Sequence, residues 1–331
     1  MRAWLPVLLT GLVATVSASG RDAPAEYKRT AGPAEVEVRR LDWKDARRGR
    51  VVPVTVYLPK GDATPRPVIV FSHGLGGSRD GYEYVGRHWA SHGYVCVHPQ
   101  HVGSDESVWK GKTNVLEEMR KAARRPASAI DRVLDVRFVL DRLTALNRDD
   151  AGFRGRLDLD RVGMAGHSFG AQTTQAVCGQ TVFGPFGKGV RMAEPRVKAG
   201  IAMSPAAHGS KADHKKAFAT IQVPMLHLTG TRDDGVAISD LKPADRRVPF
   251  DSIAAAHQYL VIFTDGDHMV FSGTRRRGDG RNDRRIHDLV RQSTTAFWDA
   301  HLRGDETARR WLTERLAKTV GDAGTVEMRS K

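Results

Sequence analysis

The sequence is short of cysteine, short of acidic residues relative to basic ones, and short of long uncharged stretches. Two cysteines in 331 residues exclude a disulfide scaffold. No Cys-x-x-Cys or paired Cys/His spacing supports a zinc site. Cys96 lies in the apolar run Tyr94-Val-Cys-Val97 and Cys178 falls about ten residues into an expected helix, so both read as small core residues. Acidic residues number 38 against 52 Lys and Arg, a net charge of +14. Such a balance favours contact with anionic surfaces, polymers or substrates. No recognition motif accompanies the charge, so no specific nucleic-acid partner is expected. The longest apolar stretch, Trp4 to Val16, is about 13 residues and too short to span ~30 Å of bilayer.

That stretch follows Arg2 and leads into Val16-Ser-Ala18, small residues of the kind a signal peptidase reads. The expectation is a signal peptide over residues 1–18 and a secreted or periplasmic protein without a transmembrane anchor. Apolar residues at 40% and charged residues at 27% suit a folded chain. Residues 19–34 are expected to be a flexible N-terminal segment, 35–318 one catalytic domain, and 319–331 a C-terminal tail.

From position 36 onward, strand-like and helix-like segments alternate. Val36–Trp43 and Val51–Leu58 read as an opening antiparallel pair. Pro67–Phe71, Tyr94–His98, Arg161–Ala165, Val197–Met203, Met225–Leu228 and Tyr259–Phe263 read as buried strands. Asp80–His92, Ala127–Leu146, Ala171–Cys178 and Ile286–Leu302 read as helices. This order predicts an α/β fold, a mostly parallel twisted sheet with helices on both faces. The polar stretches 103–126, 207–222 and 235–252 read as excursions above that sheet.

The main chemical signal is Gly166-His-Ser-Phe-Gly170, after a strand and before a helix. That context is what a G-x-S-x-G nucleophile elbow needs, with Ser168 exposed at the end of the sheet. A serine hydroxyl needs a base. His268, in Gly266-Asp-His268 after a late strand, is the choice over His257, His287 and His301. The base needs an acid to fix its tautomer. Asp233, in Thr229-Gly-Thr-Arg-Asp-Asp234, is the first choice, with Asp234 left open beside it. In His73-Gly-Leu-Gly-Gly77 the glycines allow backbone N–H groups to approach a carbonyl. Leu75 and Phe169 are the two expected oxyanion donors. The segment lacks the phosphate-loop pattern.

These segments, together with Ala90-Ser-His-Gly-Tyr-Val-Cys-Val-His98, resemble the α/β-hydrolase superfamily over about Val51 to Leu302. Within it they are similar to the platelet-activating-factor acetylhydrolase and dienelactone hydrolase-like branch, with bacterial polyester hydrolases as cousins. The resemblance implies an α/β-hydrolase fold and cleavage of small-molecule or lipid-like esters through an acyl-serine, without metal or organic cofactor. Two departures stand out. Dienelactone hydrolases use a cysteine where this chain has Ser168, and the late cysteine pair of many secreted polyester hydrolases is absent.

Substrate contacts are less sharply marked. His98 and His101 sit at a strand's C-terminal end, where open α/β sheets bind ligands. Trp109, Met269, Phe183 and Phe186 fall near the expected active-site loops. Arg275 to Arg285 carries six arginines that read as a solvated loop or a contact for anionic surfaces. Lipase, polyester hydrolase or acyltransferase action on the same residues, or a non-catalytic hydrolase-like protein gripping anionic ligands, are the other readings.

Overall fold

A computed structural model describes residues 23–61, 63–183, 189–207, 210–273 and 281–330. The expected signal peptide, Phe186 and most of the arginine-rich stretch lie outside these residues.

The strands in chain order are β1 (Val36–Asp45), β2 (Arg50–Pro59), β3 (Arg66–Ser72), β4 (Val95–Pro99), β5 (Leu157–His167), β6 (Thr181–Phe183), β7 (Gly189–Arg191), β8 (Val197–Met203), β9 (Met225–Arg232), β10 (Gln258–Asp267) and β11 (Gly324–Arg329). The longer helices are α1 (Glu83–Ser91), α2 (Val115–Arg124), α3 (Pro126–Asp149), α4 (Phe169–Val177), α5 (Lys211–Phe218), α6 (Val248–Ser252) and α7 (Arg281–Leu302).

Nine strands form one sheet in the order β1-β2-β4-β3-β5-β8-β9-β10-β11. The six from β4 to β10 are parallel, and antiparallel strands finish both edges. This is the α/β-hydrolase arrangement. The pairing of β1 with β2 runs in register from Val36 opposite Pro59 to Asp45 opposite Arg50, as the opening antiparallel pair requires.

The parallel strands are apolar on both faces because both faces are covered. Ile69, Phe71, Cys96, Ala165 and Ile201 meet Trp89 of α1 and Phe297 and Trp298 of α7. Val68, Val70, Val95, Val97 and Met164 meet Val136, Val139 and Leu143 of α3 and Ala171 and Val177 of α4. Alternation along each strand thus feeds two separate cores. Both cysteines are buried and unpaired. Cys178 ends α4 rather than lying within it.

Three expectations need correction. The segment before β1 is not flexible where it is described. Tyr27 is buried, its backbone N–H donates to Gln292 Oε1 (3.0 Å) and its hydroxyl to Asp299 Oδ2 (2.9 Å). The tail is not a tail: residues 324–329 form β11, paired antiparallel with β10. Its pattern Gly-Thr-Val-Glu-Met-Arg is half-exposed, which suits an edge strand but leaves little hydrophobic signal. The 103–126 excursion contains α2, whose Val115, Met119 and Ala122 recur at helical spacing within a charged stretch. Among the described residues no helix is long and apolar enough to cross a membrane.

Asp299 is buried in α7 and accepts from four donors: Tyr27, Lys28 Nζ (2.6 Å), Tyr94 (2.7 Å) and Arg303 Nη1 (2.8 Å). Removing one member of a buried pair leaves the others unmatched and costs about 3–5 kcal/mol. Asp299→Ala is therefore expected to lower unfolding free energy by that amount in urea denaturation, with the N-terminal segment becoming protease-sensitive first.

Candidate active site

Ser168 sits between β5 and α4 with φ 56° and ψ −115°, a conformation unusual for a non-glycine residue. Its backbone N–H donates to the Met203 carbonyl across the sheet end (2.9 Å). The flanking glycines have a steric reason. A methyl group at Gly166 would overlap the Gly170 carbonyl oxygen, and one at Gly170 would overlap the Ser72 carbonyl oxygen. The elbow and the loop after β3 are therefore in backbone-to-backbone contact.

His268 follows β10 and Asp233 follows β9. His268 Nε2 lies 2.9 Å from Ser168 Oγ, and His268 Nδ1 lies 2.8 Å from Asp233 Oδ1. With Asp233 ionised, Nδ1 carries the proton and donates it, which leaves Nε2 as the acceptor facing the serine hydroxyl. Thr229 Oγ1 donates to the second carboxylate oxygen at 2.8 Å. Asp233 is fully buried. Burial pushes its carboxyl pKa up, but the His268 hydrogen bond and the Arg246 charge outweigh this and hold it below the ordinary value. Asp234 points elsewhere, accepting from the Val236 N–H (2.9 Å). A close approach of two glycines allows the strands to end side by side: a methyl at Gly230 would overlap the Gly266 carbonyl.

These groups open into a cavity of about 970 Å³. Leu75 and Phe169 line it with Ser168 and His268. Trp109 and Met269 also line it. The Trp109 indole N–H donates to the Gly76 carbonyl (2.7 Å), and Gly76, at φ 73°, has no room for a side chain beneath that ring.

His98 and His101 do not line this cavity. Both are about 1% exposed. His98 stacks on Phe71 and meets the edge of Tyr57. His101 accepts from the Ser72 hydroxyl at Nε2 (2.9 Å) and faces Asp135 Oδ2 through Nδ1 (3.0 Å). The strand end is where ligands enter such sheets, but here His98 is covered by the segment before α1, with Nδ1 3.2 Å from the Gly81 carbonyl, and His101 lies beneath Ser104. Phe183 is exposed on the β6–β7 hairpin, away from the cavity wall.

Several residues around the site carried no signal in the sequence. Arg246 is about 2% exposed and donates to the carbonyls of Asp233 (3.1 Å), Asp234 (2.7 Å) and Ser204 (3.2 Å). Its Nε lies 3.2 Å from Asp233 Oδ1. His167 is held on both sides: Tyr82 donates to Nδ1 (2.7 Å) and Nε2 donates to the His268 carbonyl (2.8 Å). Nothing distinguishes Arg246 from the other basic residues in a linear reading. His167 was visible only as the variable residue of the elbow.

The comparisons with known proteins follow this geometry. Residues 56–131 match the family model for platelet-activating factor acetylhydrolase, isoform II. A platelet-activating factor acetylhydrolase from Cavia porcellus is 25% identical over 296 residues, covering 78% of this chain and 63% of that protein. The Bos taurus and Canis lupus familiaris proteins of the same name are each 28% identical over 139 residues, covering 32% of this chain and 30% of theirs. The chain has the α/β-hydrolase fold and is related to the platelet-activating factor acetylhydrolases. It spans less than two thirds of the length of these relatives. The matched residues 56–131 run from β2 into α3 and so include the loop after β3 that carries Leu75.

Burial holds the imidazoles of His167, His98 and His73 neutral. It pushes His167 down to about 3, His98 down to about 4, and His73 well below the usual histidine range. Each binds a proton more readily unfolded than folded. Their contribution is therefore complete above pH ~6.5 and is lost as pH falls toward the depressed values, at about 1.4 kcal/mol per pH unit for each histidine. Urea unfolding at pH 7 and pH 5 is expected to show a marked stability loss with proton uptake. A flat profile over that interval contradicts neutral burial.

Proposed function

We propose that this chain is an exported serine hydrolase that cleaves carboxylic esters of small-molecule or lipid-like substrates through an acyl-serine. The observation that carries the reading is the unbroken hydrogen-bond chain from Ser168 Oγ through His268 to Asp233, opening on a cavity. The names of the related acetylhydrolases, and a fold in which late loops meet at the sheet's C-terminal end, support it. Export rests on the sequence of residues 1–18.

His268 Nε2 takes the Ser168 proton as Oγ attacks the ester carbonyl. The imidazolium that forms is stabilised by Asp233, which stays ionised because its carboxyl is already held below its ordinary pKa. The Leu75 and Phe169 N–H groups hold the oxyanion, and their value comes from being fixed before the charge develops. His268 then protonates the leaving alcohol, and after that activates water to release the acid and restore Ser168. The hydroxyl is poised by geometry: φ 56° at Ser168 aims its side chain away from α4 and toward His268.

Ser168→Ala is expected to abolish turnover of a chromogenic short-chain ester and labelling by a fluorophosphonate, with an unchanged circular dichroism spectrum. Retained turnover in this variant overturns the reading. Asp233→Asn is expected to lower kcat by about 10⁴-fold, as an inverted tautomer does elsewhere, while Asp234→Asn leaves it within about twofold. A panel of esters of rising acyl length, beside an amide and an alcohol acceptor, then separates esterase from lipase, amidase and acyltransferase action.

A further inference from the structure

Arg132 of α3 is fully buried directly beneath the loop after β3. Its hydrogen-bond acceptors among the described residues are neutral oxygens. Nη1 donates to the His73 carbonyl (2.6 Å) and to Ser72 Oγ (3.3 Å). Nη2 donates to the carbonyls of Gly74 and Ser104 (3.3 Å each). Nε donates to Ser104 Oγ (2.8 Å). The guanidinium also lies over the Phe169 ring, 4.3 Å from its centroid. One side chain therefore touches both residues flanking the reacting carbonyl's expected position, or the peptide units joined to them.

The consequence follows from peptide geometry. The Gly74 carbonyl and the Leu75 N–H belong to one planar trans unit, so they point in opposite directions. Three donors fix that carbonyl on the buried side: Arg132 Nη2, His73 Nδ1 (2.6 Å) and the Gly77 N–H (3.1 Å). The Leu75 N–H is thereby turned toward the cavity. On the other side, Phe169 is held by its ring under the guanidinium, at the first residue of α4.

Behind the arginine lies a second Ser–His–Asp chain, Ser72–His101–Asp135, wholly buried. Asp135 is also bound by Arg48 Nη2 (2.6 Å) and Arg50 Nη2 (3.3 Å). With no exposure, Ser72 meets no substrate. Its hydroxyl proton is committed to His101, which leaves its oxygen lone pairs facing Arg132 Nη1.

We propose that Arg132 is the positioning residue of the oxyanion site, orienting the Leu75 N–H through the Gly74 carbonyl and clamping Phe169 by its ring. The inference rests on the serine-hydrolase reading above and extends it to a residue that touches no substrate. Arg132 also places a positive charge, with no carboxylate bound to it among the described residues, near the site of developing negative charge. Lysine cannot reproduce the fork that reaches several oxygens at once.

The test compares wild type with Arg132→Met, Arg132→Lys and Ser104→Ala. Three quantities are read on each protein: kcat and KM for a short-chain chromogenic ester, and the inhibition constant of a trifluoromethyl ketone, whose adduct on Ser168 is an oxyanion. Arg132→Met is expected to lower kcat by about 30- to 100-fold, somewhat less than the ~10²–10³ of losing an oxyanion donor outright, because the Leu75 N–H is misaligned rather than removed. KM should stay within about threefold, and ketone affinity should fall by the same factor as kcat. Arg132→Lys is expected to recover part of the loss, and Ser104→Ala, which frees only Nε, to lose about three- to tenfold. If Arg132→Met fails to fold, the other two variants decide. Wild-type kcat and ketone affinity in both, or losses confined to KM or melting temperature, overturn the proposal. An inactive wild type overturns the hydrolase reading as well, whereas an active wild type with unaltered variants overturns this inference alone.

Discussion

Everything near Ser168 depends on a contact between two backbones. The Ser72 carbonyl lies so close to Gly170 that no side chain fits between them. This brings the end of β3 against the start of α4 and sets the spacing between the loop carrying Leu75 and the residue after Ser168. A substitution there would do more than remove a flexible turn. It would push apart two peptide units whose N–H groups, in the proposed reaction, converge within a hydrogen-bond length of one atom. The glycines at 166 and 170 are thus spacers, and the strain at Ser168 is the local cost of that approach.

Two buried arginines fasten the loops on either side of this contact, and they do it in the same manner. Arg132 binds the carbonyls of His73, Gly74 and Ser104, while Arg246 binds those of Asp233, Asp234 and Ser204. Loops at a sheet's end expose carbonyls that no strand partner satisfies. A guanidinium carries five donors in a rigid plane and can satisfy several at once. Burial lowers the pKa of both groups, that of Arg132 to about 9. Arg132 therefore remains a cation at neutral pH, and each hydrogen bond it makes is charge-assisted.

The elements with a strong apolar period were legible in the sequence: the parallel strands, α3 and α7 appear with boundaries within a few residues. The separation of Ser168, Asp233 and His268 along the chain was also readable, since each follows a strand whose end is marked by glycine. What escaped had no one-dimensional signature. β11 is an edge strand of mixed residues, recognisable only by its pairing with β10. The N-terminal segment looked polar, yet Tyr27 and Lys28 converge on Asp299, more than 270 positions away. Arg132 stands in a helix among valines, and only the fold shows that its face looks into the loop after β3 rather than into water. His98 and His101 lie at the expected end of the sheet, but both rings are packed in the interior rather than facing the cavity.

The pairing of β11 with β10 has a bearing on how the chain acquires its structure. β10 leads directly into His268, and its outer edge is completed only by residues 324–329. A nascent chain exposes β10 before the later residues 324–329 can reach it. Until they dock, β10 presents a row of unpaired amides that a neighbouring polypeptide can extend. Arg247, which pairs with Glu327 on β11, then fixes the last strand to the segment beside Arg246. Sheet closure and assembly of the histidine's surroundings thus belong to the same event, the docking of β11 on β10.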